Sequence, residues 1–443
     1  GTERECVDPE VLRQVKSRSL ARLRKEVEPV SAAAYARFLQ RWHGLGSPQR
    51  GLDRLRDVLA QLEGAALPAS VLEREVLPVR VADYQPSMLD SLMASGEVAW
   101  FGEGRLGRDD GRLVLVRREM LATFAPVVAA PPGPLHAAVL DALTARGALF
   151  FTDLVAVAKA PHAEVLEALW DLVWAGAVTN DTIAPVRALS WGRRPSTAPQ
   201  RGRIGKLPPE SAGRWSLVRS VPLDESRAAA TARSHARTSA LLERLGIVTR
   251  EGVAAEEQPG GFSSVYPVLK AMEDSGRVRR GYFVEGLGAA QFALPGAAER
   301  VRAERDAPDE PSPVVLSASD PAQPYGATLP WPREDEASRK AYQRVAGARV
   351  VLVDGVPGLY LAAGRKALLT FPAARDEAQL ALAVAALAED MGSLGGKGLS
   401  IERVDGGAVA ESPVAAALMD AGFTRGFRGL TKRPQRAGGP ARA

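Results

Sequence analysis

Three glycines, Gly96, Gly176 and Gly276, each end a stretch with helical apolar spacing, and each is followed two residues later by a valine that opens a β-like run. A chain that turns straight from helix into strand needs a residue in the left-handed region at the junction. Glycine takes that conformation without a Cβ penalty. The rule applies three times over, so the chain is expected to repeat one supersecondary unit rather than build a single sheet or bundle.

The unit can be read at each glycine. In residues 236–294 a helix "ARTSALLERLG" precedes a β run "IVTRE", a short helix "EGVAAEE", a third helix "GGFSSVYPVLKAMEDSG" and a hairpin "RVRRGYFVEGLGAAQFAL". In residues 135–189, Leu135, Val139, Leu140 and Leu143 mark a helix that stops at Arg146-Gly147. "ALFF" follows as a short strand, and Thr152 or Asp153 caps a second helix that breaks at Pro161. Val165, Leu166, Leu169, Leu172 and Val173 mark the third helix, and "AVTND" opens a hairpin. Residues 52–118 repeat the order with "LDRLRDVLAQLEG", "PASVLEREVLP", "PSMLDSLMASG" and the hairpin "EVAWFGEGRLGRDDGRLVLVRRE". Helix, strand, two helices and a hairpin make a winged helix.

At 443 residues the chain has room for two to four domains. The expected fold class is α+β, with tandem winged helices followed by a small β-barrel or α+β module. The boundaries read as an N-terminal helical segment 1–51, winged helices 52–130, 131–191 and 214–302, a module 331–433 and a disordered tail 434–443. Residues 8–46 read as helical and carry a basic run, Arg13, Arg18, Arg22, Arg24 and Lys25. Two proline-rich linkers, a basic one at 192–213 and an acidic one spanning 303–330, are expected to lack regular structure. In the last module "ARVVLVDGVPGLYLAAGRKALLTF" reads as an antiparallel meander, "RDEAQLALAVAALAEDMG" and "ESPVAAALMDAG" as helices, and "FTRGFRGLTKR" as its closing segment.

Several chemistries are excluded. Cys6 is the single cysteine, so there is no disulfide framework or cysteine zinc site, and the four histidines lie far apart. No metal site is expected. No Walker loop, nucleophile elbow or His-Glu-x-x-His is present. "GEGRLG" (102–107) falls inside a hairpin and is not a nucleotide loop, and Asp109-Asp110 reads as a hairpin turn. No catalytic residue can be named. No run of about 18 apolar residues reads as a membrane span.

Nucleic acid remains. Net charge is +5, and only nine of the 57 basic residues are lysine, so arginine carries the positive charge. A GC-rich genome would produce the same bias. The expected DNA-binding residues are Arg277, Arg279, Arg280 and Tyr282 in the third wing, and Arg193, Arg194, Arg201, Arg203 and Lys206 in the basic linker. Strand alternation places Val278 and Tyr282 toward the core and leaves Arg280 at the rim. The alternative is a wing packed on a neighbouring domain. The wing "AVTNDTIAP" is almost uncharged, so that copy reads as scaffold.

The segments "EALWDLVWAGAVTND", "IVTRE", "GGFSSVYPVLKAMEDSGRVRRGYFVEGLGAAQFALPG", "DPAQPYGATLPWP" and "ALLTF" resemble the C-terminal region of Lhr, the large helicase-related proteins of bacteria. The resemblance implies the non-motor part of an ATP-dependent 3′–5′ DNA repair helicase. Its partners would be DNA, the N-terminal helicase core and further copies of itself, in the bacterial cytoplasm at the nucleoid. It implies no cofactor for these residues, with ATP and Mg serving the motor. Residues 71–100 are also similar to the winged-helix DNA glycosylases of the AlkZ and YcaQ type. Their Gln-x-Asp or Gln-x-Gln motif is absent from "EGAALPASV", and their histidine from "EREV". Excision of uracil or an alkylated base stands as the alternative activity, with no catalytic residue assigned.

Overall fold

The computed structural model describes residues 28–126, 133–191, 207–219, 224–288, 290–306, 308–332, 342–390 and 398–433. The basic run at 13–25 and the tail from 434 lie outside these residues.

The three junction glycines adopt the conformation their position demands, with φ of +78°, +77° and +72° at Gly96, Gly176 and Gly276. A Cβ at Gly96 or Gly276 would meet nothing within 4 Å, so backbone conformation alone explains glycine there. At Gly176 a Cβ would also strike Pro126 Cγ at 2.4 Å.

The first winged helix contains helices Gly51–Gln61 and Pro86–Ala94, with a short helical and π-helical stretch Ala69–Val71 and Leu72–Val76 between them. Its hairpin Val98–Arg105 and Gly111–Arg117 is joined by strand Ala66–Pro68. The second has helices Pro134–Arg146, Phe151–Ala158 and His162–Trp174. Its expected hairpin is replaced. After strand Val178–Asn180 the chain forms helix Ala184–Ser190, and the strand that pairs with it is Arg214–Leu217. That strand also pairs with Leu149–Phe150, so residues placed beyond the basic linker complete the earlier sheet. Trp215, fully buried against Trp170 at 5.8 Å between ring centroids, fixes the strand there.

The first two units share one core, which runs from Leu55 to Trp215. The first hairpin lies directly on helix His162–Trp174. A Cβ at Gly102 would sit 2.3 Å from the Val173 carbonyl oxygen, and one at Gly111 2.4 Å from the Trp174 ring. Glu73 ties the units from below, accepting from Arg187 at 2.6 Å and from the Tyr84 hydroxyl at 2.6 Å.

The third winged helix keeps its own core, Leu241, Leu245, Val253, Val265, Leu269 and Phe292 among them. It comprises helices Arg227–Leu245, Arg250–Ala255 and Gly261–Asp274 and strands Ile247–Val248, Arg279–Gly281 and Gln291–Ala293. Helix Ala32–Trp42 belongs to a further core with Val284, Ala298 and Tyr325.

The last module is built on the antiparallel meander Arg349–Val353, Val356–Leu361 and Ala367–Thr370. Strand Pro313–Ser317 adds to one edge, within the acidic segment where no regular structure was expected. The apolar run "PVVL" there pairs along the Arg349–Val353 edge, and that gain outweighs the surrounding prolines. The six-stranded sheet is open, running from Pro313–Ser317 to Gly407–Ala408, so no closed barrel is found among the described residues. Helices Glu377–Glu389 and Val414–Asp420 cover it, and Leu399–Ile401, Thr424–Arg425 and Leu430–Lys432 form a separate three-stranded sheet. None of the described helices is long and apolar enough to cross a membrane.

Asp320 ties the acidic segment to the first winged helix. Its carboxylate accepts both Arg80 Nη1 at 2.8 Å and Nη2 at 2.6 Å, and both side chains are fully buried. His43 Nδ1 lies 3.2 Å from Arg80 Nη2. Burial, reinforced by the Arg80 cation, holds His43 well below its ordinary value of 6.5. The unfolded chain therefore binds a proton that the folded one refuses. Stability should fall as pH drops through 6.5, with a slope approaching about 1.4 kcal/mol per pH unit. Urea midpoints at pH 7.5, 6 and 5 check this, and the slope should flatten in His43→Asn.

Candidate nucleic-acid interface

The third wing is an edge strand whose cations are partly engaged. Arg279 forms an ion pair with Glu299 at 2.5 Å, Arg280 lies over the Phe292 ring at 5.9 Å, and the exposed Arg277 donates to Ser275 Oγ at 3.4 Å. Val278 is buried as alternation predicts, but Tyr282 is not: it is 43% exposed, and its hydroxyl accepts from Gly286 N. Pairing ends at Gly281, so alternation ends with it, and the core positions pass to Phe283 and Val284.

The loop that follows is pinned at both ends. Gln291, fully buried, accepts from the amides of Phe283 and Val284 at 2.8 and 2.9 Å and donates to the Val284 carbonyl at 2.8 Å. Val30 and Val284 are bridged, with Val30 N donating to Phe283 O and Glu285 N donating to Val30 O. The wing's far end is thus an interdomain seam, while Arg277, Arg279 and Arg280 stay at the surface. Arg193, Arg194, Arg201, Arg203 and Lys206 lie outside the described residues.

Helix Gly261–Asp274, the groove-reading helix of such a unit, is poorly charged on its outer face. Its exposed residues include Ser263, Pro267, Lys270 and Asp274, one cation against one anion. The concentrated positive charge lies on the preceding helix, where sequence reading did not look. Arg233 and Arg237 are one turn apart on Arg227–Leu245, and Arg219 approaches from the end of strand Arg214–Leu217. Their guanidinium groups donate to main-chain carbonyls: Arg219 to Ala125 at 2.8 Å, Arg233 to Asp224 at 2.7 Å and Arg237 to Phe124 at 3.4 Å. Among the described residues none of the three is within ion-pair distance of a carboxylate. Burial, and then repulsion from Arg233, lowers the Arg219 pKa. Arg237 is lowered by burial and by Arg233 and Arg219, against an upward pull from Glu103. The i, i+4 spacing "RSHAR" was the available signal. A groove of about 200 Å³ continues from Arg233 and Arg237 to Gln258, Pro259 and Ser264 at the start of the reading helix.

Beyond Glu103 lies a deeper cavity of about 540 Å³, bounded by the first hairpin, helix Arg250–Ala255 and residues 344–346. Its lining mixes Glu103, Asp110, Glu256 and Glu257 with Arg112 and Arg344. Asp110 accepts from Ser70 N and Oγ and from Gly111 N, so one of the two acids read as a turn also anchors the helix Ala69–Val71. Desolvation still holds its carboxyl above the usual range, against the pull of those bonds. Glu73, in the segment similar to glycosylases, is buried and bound by Arg187 and Tyr84, and offers no free carboxylate.

Two stretches match family models described as large helicase-related protein, winged-helix domain: residues 30–118 and 227–313. The chain is 42% identical, over 462 aligned positions, to "Lhr helicase/ probable uracil glycosylase" of Mycolicibacterium smegmatis. It is 36% identical, over 468 positions, to "Lhr helicase/uracil glycosylase" of Escherichia coli. Each alignment takes in 96% of this chain and 30% of the relative, so the chain spans under a third of the length of these curated relatives. Among solved structures it overlays Streptomyces sahachiroi DNA glycosylase AlkZ with a TM-score of 0.48 at 16% identity, over 85% of this chain and 99% of that one.

Proposed function

We propose, for a chain whose sequence matches the C-terminal winged-helix region of the large helicase-related proteins, that it binds DNA as the partner module of an ATP- and Mg-dependent helicase core. The observation that carries this reading is the trio Arg219, Arg233 and Arg237, held together without ion-paired carboxylates. A cluster kept in this state is stabilised by an anion, and a phosphate backbone supplies one every few ångströms. The wing offers a second group of exposed cations, Arg277 and Arg280. Assembly of several copies, and a place at the nucleoid, belong to the same reading; light scattering with and without DNA tests the assembly.

Arg233→Gln with Arg237→Gln should weaken binding about equally for all sequences. It should also lower the log–log salt slope by about 1.8 on duplex DNA, near 0.9 for each lost phosphate contact. Fluorescence anisotropy between 50 and 300 mM salt reads both. An unchanged slope would remove these residues from the interface, and no binding by the parent chain at low salt would sink the reading itself.

Base excision is the second reading, favoured by the 540 Å³ cavity and its desolvated Asp110. The relatives named as uracil glycosylases make uracil the first base to test. Incubation with a uracil-containing strand, followed by alkaline cleavage at abasic sites, decides it: no product above a heat-inactivated control excludes it.

A further inference from the structure

We propose that the hairpin tip Gly426–Gly429 is a stacking platform for an unpaired base of single-stranded nucleic acid, with Phe427 as the stacking ring and Arg425 and Arg428 as its phosphate contacts. The proposal deepens the DNA-binding reading and rests on it. Phe427 is 101% exposed, and among the described residues the next most exposed large apolar side chain, Phe150, is at 55%. A ring left wholly in water forgoes the hydrophobic gain of burial and presents both faces for stacking.

The tip is held stiffly enough to present that ring. Thr424 pairs with Thr431 and Arg425 with Leu430, while Gly426 N donates to Gly429 O at 2.7 Å. Leu430 is buried, and Ile401 pairs with it from the other side. Gly429 lies against the neighbouring strand: a Cβ there would come 2.1 Å from the Ile401 carbonyl oxygen and 2.9 Å from Glu402 Cα. Both glycines beside the hairpin tip lack side chains, so neither face of the Phe427 ring is shielded by them.

Charge selects the occupant. Arg425 and Arg428 are exposed, and so are Lys366 and Arg403 nearby. Glu402 opposes them; it bonds to Lys366 at 2.9 Å and its pKa is lowered first by that bond, with Arg428 and Arg403 adding to the effect. An aromatic ring between arginines suits a strand whose bases are free to stack and whose phosphates follow one another closely. A duplex keeps its bases stacked on each other and offers the ring nothing to cover.

The test uses the whole chain and a fluorescein-labelled 20-nucleotide thymidine strand, with a uridine RNA strand of equal length as a second arm. Phe427→Ala should weaken binding of both strands about 5- to 150-fold, with the salt slope unchanged. Phe427→Trp should restore affinity. Arg425→Gln with Arg428→Gln should lower the slope by about 1.4. Thermal midpoints should not move, since the ring touches nothing. Affinity for the strand unchanged in Phe427→Ala, or an equal loss on a blunt, fully paired duplex, would overturn the platform while leaving DNA binding in place. Failure of the parent chain to bind any nucleic acid at low salt would overturn both.

Discussion

Asp320→Asn is expected to cost about 3–5 kcal/mol of folding stability, because it strips the counter-charge from an Arg80 that no water reaches. The carboxylate now receives two guanidinium hydrogen bonds, and its Oδ1 also accepts from Ala322 N at 2.7 Å. An amide oxygen in the Oδ1 position can keep the bonds from Arg80 Nη2 and Ala322 N, but its NH2 must then face the Arg80 Nη1 cation. The damage should spread through the segment, since Arg344 donates to the carbonyls of Asp320 and Gln323 just beyond. Urea unfolding at pH 7.5 measures it, and a loss below about 1 kcal/mol would show that Arg80 finds another partner or that water enters. The double variant Asp320→Leu with Arg80→Met should recover much of the loss, because two apolar side chains leave no charge stranded. That recovery separates the cost of a stranded charge from any intrinsic worth of the pair.

The second large effect is expected at Gln291. Gln291→Leu keeps the volume but leaves two amides and one carbonyl buried without partners, at about 2–4 kcal/mol in total. Unlike the Asp320 change, this one should be local. Hydrogen exchange at Phe283, Val284 and Glu285 should accelerate far more than at Leu241 or Leu269 in the adjacent core. Because Val30 is held by the same loop, exchange at Val30 should rise with it. If those amides stay protected, the bridge to Val30 rather than Gln291 holds the loop.

How much of this could be read in the sequence follows from how local each determinant is. The junction glycines were legible because a helix-to-strand reversal is decided within a few residues, and their positive φ values follow. So was the meander at 349–370, where turn residues and β-branched runs alternate. The sheet of the second winged helix was not, since strand Arg214–Leu217 lies beyond the basic linker and is selected by the fit of Trp215 among Trp170 and its neighbours. The acidic segment misled for a related reason. Proline and aspartate read as open chain, yet Asp320 is buried by its bonds to Arg80, 240 residues away in sequence. At the interface, the wing arginines were found by density of charge. Arg219, Arg233 and Arg237 escaped because their meeting depends on a strand and a helix being brought side by side. Phe427 was visible as a letter between arginines, but only the hairpin shows that nothing covers it.

The bond between Arg80 and Asp320 also sets a timetable. The two are 240 residues apart, so at 5–20 residues per second a ribosome would finish Arg80 roughly 12–48 s before it reaches Asp320. Once Trp215 has been made the first two winged helices can close their shared core, but the site that finally encloses Arg80 still lacks both its wall and its anion. The nascent protein must keep that guanidinium hydrated at an open edge until residue 320 emerges. Synthesis, rather than the stability of any one unit, then dictates when the first winged helix is sealed against the acidic segment.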